Sequence, residues 1–254
     1  MRQPVAFLAH GSPTLALDGE DWAPALAAFA QELRPATILV VSAHWEAPQP
    51  PRVTSSPRPG VMHDFGGFPE ALYTLDYPAP GDPLVATRLA KTLGADLDPA
   101  RPLDHGAWVP LRWMFPQAGL PVLQLSLPRP RDPALLQRLG TCLRPFRDEG
   151  VLLLGSGGLV HNLRRLDWGG TASAPEPWAS EFETWVLGHL EAGDADGMAR
   201  GYAEAPGLAQ AVPTSEHFDP LWVVLGALWP EERPRDLFRG WQLGNLSLRC
   251  LVWG

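Results

Sequence analysis

The chain has 254 residues, with 20 basic against 28 acidic side chains and a formal charge of −8. With no long Lys/Arg block, this balance argues against nucleic acid or an anionic membrane as partner. A hydrophobic content of 45% with 19% charged residues excludes a disordered chain and leaves room for a sizeable core.

No apolar run is long enough to cross a bilayer, and Met1-Arg2-Gln3 leads into a short strand, not a secretory leader. Cys142 and Cys250 make no CxxC and no disulfide framework, which fits a reducing, cytoplasmic compartment. The 11 tryptophans are expected for the most part to pack against wide sheet faces.

Val5 to Ala9 is an apolar run that predicts a buried strand, and it ends in His10-Gly11-Ser12. Trp22, Leu26, Phe29, Ala30 and Leu33 share one helical face over about 21–33, closed by Pro35. Thr37 to Val41 is a second buried strand, followed by the small pair Ser42-Ala43 and then His44. Residues 4–44 therefore predict a β-α-β unit with parallel strands.

A proline-rich excursion follows, with a short strand at Arg52-Val53-Thr54. It leads to a glycine- and aromatic-rich loop, His63-Asp64-Phe65-Gly66-Gly67-Phe68-Pro69. Loops of this length inside a compact domain tend to serve function. Asp82-Pro83 and Asp132-Pro133 each start a helix, as N-cap followed by proline at N1. Leu103-Asp104-His105-Gly106 precedes a short helix, and Pro121 to Leu127 predicts another strand.

Val151 to Leu154 is a further buried strand, running into Gly155-Ser156-Gly157-Gly158 and then His161-Asn162. Trp178, Phe182, Trp185 and His189 share one helical face, and residues 193–207 resemble a polar helical hairpin. Ser215-Glu216-His217-Phe218 opens a helix begun by Asp219-Pro220, and Leu246 to Val252 predicts a closing strand at or near an edge. Alternating strands and helices with no clear linker predict one α/β domain over 1–254. Its central sheet is largely parallel or mixed, flanked by helices, with the active site at the strand-end rim.

Four of the seven histidines, His10, His44, His161 and His217, follow a strand or precede a helix start. Such positions gather at one rim of an α/β sheet, where neutral imidazoles suit Fe(II) or Zn(II). Taken singly, each is a polar residue at an element end. His105 alone reads as a surface residue, His189 as packing, and His63 as a loop histidine beside Asp64. The glycine run lacks the P-loop lysine and the dinucleotide spacing, so tight backbone packing explains it better. HExxH is absent, and Gly155-Ser156-Gly157 is not the GxSxG frame of a serine hydrolase.

Together the segments Ala9-His10-Gly11-Ser12-Pro13, Val41-Ser42-Ala43-His44-Trp45, Asp64-Phe65-Gly66-Gly67-Phe68-Pro69, Tyr77-Pro78-Ala79-Pro80-Gly81, Leu103-Asp104-His105-Gly106-Ala107-Trp108, Gly155-Ser156-Gly157 with His161-Asn162, and Glu216-His217-Phe218 resemble the class III extradiol ring-cleavage dioxygenases, in particular the 4,5-DOPA dioxygenase group. The resemblance implies a non-haem Fe(II) enzyme that inserts O₂ into a catecholic ring to give a ring-opened semialdehyde, with Zn(II) able to fill the same site. It implies His10, His44 and His217 as metal ligands, with Glu216 as the alternative to His217. His161 is implied as acid–base residue and fourth ligand, and His105 as a hydrogen-bond donor to substrate or oxygen. Asp64, Phe65, Phe68 and Tyr73 are expected to line the substrate pocket. Two other readings are a zinc hydrolase on the same sheet edge and a Memo-type binding protein without catalysis.

Overall fold

The computed structural model describes residues 2–169 and 174–254. Its strands are β1 (Val5–Ala9), β2 (Thr37–Pro48), β3 (Arg52–Thr54), β4 (Asp96–Asp98), β5 (Val122–Arg129), β6 (Val151–Gly157), β7 (Arg235–Phe238), β8 (Trp241–Gln242), β9 (Leu246–Ser247) and β10 (Cys250–Trp253). Its helices are α1 (Trp22–Gln31), α2 (Glu70–Tyr73), α3 (Pro83–Leu93), α4 (His105–Met114), α5 (Pro133–Asp148), α6 (Pro177–Ala192), α7 (Ala195–Gly201), α8 (Leu208–Ala211) and α9 (Asp219–Gly226). Eight strands form one mixed sheet in the order β4-β3-β5-β2-β6-β1-β10-β7, and β8 pairs with β9 in a separate ribbon.

The unbroken apolar runs have a simple cause: both faces of the sheet are covered. Val5, Phe7, Leu39, Val41 and Leu153 enter one core, with side chains of α3, α5, α6 and α9. Their neighbours Ala6, Leu8, Ile38, Val40, Leu152 and Leu154 enter the other, with α1 and α4. Alternate residues of a strand face opposite ways, so a strand buried on both faces must be apolar throughout.

Asp132 and Asp82 cap α5 and α3 as expected, accepting from the backbone N–H groups of Leu135 at 2.7 Å and Val85 at 3.0 Å. The start of α9 differs. Asp219 is the first residue inside the helix and spends its carboxylate on Ser215 and Arg131. Residues 193–207 form α7 and a short 3-10 turn in place of a hairpin of two helices.

Three further differences position the site. β1 and β2 are not neighbours: β6 lies between them and pairs in parallel with both. β2 does not stop at Ser42 but runs on to Pro48. Its pairing with β5 jumps from Val41 to Glu46, so the segment carrying His44 bulges out of the ladder. The closing segment splits. Leu246–Ser247 belongs to the ribbon, while Cys250–Trp253 runs antiparallel between β1 and β7, one strand in from the edge.

Candidate active site

The carboxyl ends of β1, β6 and β2 present their chemistry at one rim. His10 follows β1 directly, and its backbone N–H donates to the carbonyl of Gly157 at the end of β6, 3.2 Å away. His44 stands on the bulge of β2. His217 arrives on the loop before α9, held because Gly158 N–H donates to the His217 carbonyl at 2.8 Å. That approach needs glycine: a Cβ on Gly157 would stand 2.0 Å from the His217 carbonyl oxygen.

The rings converge. Centroid separations are 4.9 Å for His10–His44, 5.3 Å for His10–His217 and 5.0 Å for His44–His217. His161 stacks on His217 at 3.4 Å, nearly parallel at 7°. His105 lies 4.0 Å from His44 and 5.3 Å from His10. Five of the seven histidines thus share one site. His63 Nε2–H donates at a different place, to the Leu75 carbonyl at 3.0 Å, while His189 packs on Trp185.

Hydrogen bonds decide the tautomers. The Ser156 hydroxyl donates to the Gly106 carbonyl at 2.5 Å, so it must accept from His10 Nδ1–H at 2.9 Å. His10 Nε2 is then an acceptor, and His44 Nε2–H donates to it at 3.0 Å. His217 Nδ1–H donates to Glu216 Oε1 at 3.2 Å, which leaves His217 Nε2 buried with no partner. Glu216 also accepts from the Thr214 hydroxyl at 2.8 Å. The carboxylate therefore orients the ring, a common arrangement behind a metal-bound histidine.

His105 N–H and Nδ1–H both donate to Asp64 Oδ1, at 3.0 and 2.9 Å. With Nδ1–H committed to Asp64, Nε2 is the ring nitrogen of His105 left to face the site.

Electrostatics keep His10, His44, His161 and His217 neutral. Burial pushes His10 and His217 well below the usual imidazole range, and the neighbouring histidines push the same way. Burial, with His105, lowers His44 to about 3; burial, with His44, lowers His161 to about 4. Burial alone would raise Asp64, but its hydrogen bonds from His105 bring it down to about 2. Neutral imidazole is the form that ligates metal. Ring nitrogens of His10, His44 and His105 lie within 4.8 Å of one another, as do the ligand atoms of His161, Glu216 and His217.

A support layer escaped the sequence. Asp104 is fully buried and accepts from Ser42 Oγ–H and Gln124 Nε2–H, each at 2.7 Å. Ser42 Oγ accepts in turn from His44 N–H at 3.2 Å, and Arg101 donates to the His44 carbonyl at 3.0 Å. Behind both loops, Arg131 bridges Glu46 at 2.6 Å and Asp219 at 2.5 Å. Those carboxylates each lie two residues past a site histidine, so the ion-pair chain ties the His44 and His217 segments together. Asp104 precedes His105 in a motif already singled out; its burial was the missing signal.

The histidines floor a cavity of about 370 Å³, walled by Asp64, Phe65 and Phe68. Tyr73 is not on the wall. It stands behind Phe65, ring centroids 5.4 Å apart, and its hydroxyl accepts from Phe68 N–H at 3.4 Å. Leu163, Leu166, Trp168 and Leu243 complete the mouth and were not foreseen. Trp168 is an exception among the tryptophans: it is 71% exposed.

Known proteins resemble this chain in sequence and fold. The family described as the catalytic LigB subunit of aromatic ring-opening dioxygenase matches residues 4–247. A protein of Escherichia coli (strain K12) named "4,5-DOPA dioxygenase extradiol" is 39% identical, covering 100% of this chain and 95% of its own. Proteins of the same name from Beta vulgaris and Portulaca grandiflora are each 36% identical, over 95% of this chain and 92% of theirs. A crystal structure of the uncharacterized protein JW3007 from Escherichia coli K12 superposes with a TM-score of 0.86 at 34% identity, over the whole of both chains.

Proposed function

The chain belongs to the LigB family of aromatic ring-opening dioxygenases, and from that premise we propose that it opens a catechol ring beside, not between, the two hydroxyls, using Fe(II) held by His10, His44 and His217. The observation that carries the metal assignment is the buried, unpartnered Nε2 of His217, beside the facing Nε2 atoms of His10 and His44. A buried polar atom without a partner is costly unless something binds it. Burial keeps these rings neutral, and a set of neutral imidazoles fits a divalent transition ion. Iron bound there would supply the redox chemistry that lets O₂ react with a catechol.

The protein's own groups do the rest. His161, neutral because burial lowers it to about 4, accepts a proton from a catechol hydroxyl. Stacking on His217 fixes its plane beside the ligand cluster. His105, anchored by Asp64, faces the site beside His44 and hydrogen-bonds substrate or oxygen there. Once protonated, His161 returns a proton as the ring opens. Phe65 and Phe68 offer aromatic surfaces to a flat substrate and keep water from that side.

The test is oxygen uptake with catechol after anaerobic loading with Fe(II). Uptake with formation of a ring-opened semialdehyde is the expected result. Ester or amide hydrolysis by zinc-loaded protein, with no oxygen uptake by the iron form, would reassign the site to a hydrolase.

A further inference from the structure

The cavity does not end at the histidines. Its outer wall is apolar, built from Leu163, Leu166, Trp168 and Leu243. Leu163 is 59% exposed, and with Trp168 it is one of five large hydrophobic side chains exposed among the described residues. Single exposed leucines need no explanation, but two large apolar side chains on the lip of one pocket mark a surface that something covers.

This lip is built, not frayed. Asn162 caps the turn that carries Leu163, its Oδ1 accepting from Arg164 N–H at 3.0 Å while its Nδ2–H donates to the Gln210 carbonyl at 2.7 Å. Asp167 N–H donates to the Leu243 carbonyl at 2.9 Å, and Asn245 Nδ2–H donates to the Arg165 carbonyl at 2.7 Å. The segment after His161 and the loop before β9 are thus stitched into one rim.

The charge on the wall points the same way. Asp64 is its carboxylate, and among the described lining residues there is no arginine or lysine to receive an anion. From this juxtaposition we infer that the preferred substrate is a catechol bearing an uncharged apolar substituent, which leaves the ring toward Leu163 and Trp168, in preference to a catechol carboxylate. This rests on the ring-cleavage reading and departs from the amino-acid substrate in the relatives' names.

The experiment compares catechol, 4-methylcatechol, 4-propylcatechol and 3,4-dihydroxybenzoate. Oxygen uptake is measured on the iron form and calorimetric affinity on the zinc form. Each added methylene should raise kcat/KM and affinity roughly threefold, as partial burial of a CH₂ predicts. The carboxylate should fall below unsubstituted catechol in both readouts. In Trp168→Ser and Leu163→Ser, the 4-propylcatechol to catechol ratio should collapse toward unity.

A flat alkyl series, or a carboxylate that outperforms catechol, overturns the inference and leaves ring cleavage standing. A graded affinity series with no oxygen uptake from any member overturns ring cleavage and supports the apolar lip.

Discussion

The carbonyl oxygen of His217 occupies the place where a side chain on Gly157 would stand, 2.0 Å from the ideal Cβ position. A glycine at the end of β6 thereby sets how close the His217 loop comes to the His10 strand. Gly157→Ala should push that loop outward and weaken metal binding at least tenfold, with a smaller change in thermal stability. Competition with a chromogenic chelator checks it; unchanged affinity would mean that the loop's position does not govern the site.

Glu216 and His217 should separate cleanly. Glu216 accepts the Nδ1 proton of His217, which makes it an orienting group in this account. Glu216→Gln should cost about 10–100-fold in metal affinity, the usual range for such partners. His217→Ala should cost far more. Metal analysis after dialysis decides, and retention of iron in His217→Ala with its loss in Glu216→Ala would exchange their roles.

Asp104 supports His44 through Ser42 and meets Arg101 and Gln124 without touching the pocket. Asp104→Ala leaves several buried donors unpaired, so denaturant unfolding should show a loss of about 2–4 kcal/mol. The variant should also bind metal more weakly. Unaltered stability would show that water replaces the carboxylate freely.

The metal-free protein should lose stability in mild acid. In the unfolded chain these histidines take up protons near 6.5, whereas in the folded chain burial lowers His161 to about 4 and His44 to about 3. Between those values the unfolded state holds more protons, so stability is fully present above about 6.5 and declines as pH falls toward 4. Melting curves from pH 7.5 to 5 should show this decline, and His161→Asn should reduce it. A pH-independent melting temperature in that window would contradict the burial argument.

The sequence disclosed the parts of the fold that depend on local pattern. Val5–Ala9, the start of β2 and Val151–Leu154 were legible because strands buried on both faces leave no polar interruption. His10, His161 and His217 were legible as residues beside element ends, whereas His44 was expected at a strand end and stands inside β2, which runs on to Pro48. What stayed hidden depends on contacts between distant segments. Nothing in residues 4–44 announces that β6 inserts between β1 and β2, and nothing near Ser42 announces the bulge. Tyr73 lies in the same aromatic loop region as Phe65 and Phe68, and only packing puts it a layer behind. Nothing local separates Trp168 from the other tryptophans; only the fold puts it, 71% exposed, on the mouth.

The central claim is that this histidine cluster directs oxygen to the ring carbon beside the hydroxyls. Product analysis by mass spectrometry and NMR, after turnover of catechol by the iron-loaded enzyme under ¹⁸O₂ with immediate borohydride trapping, tests it most directly. The account predicts a trapped semialdehyde skeleton that carries both atoms of one O₂. A dicarboxylic product from cleavage between the hydroxyls, or recovery of an intact ring, would contradict it.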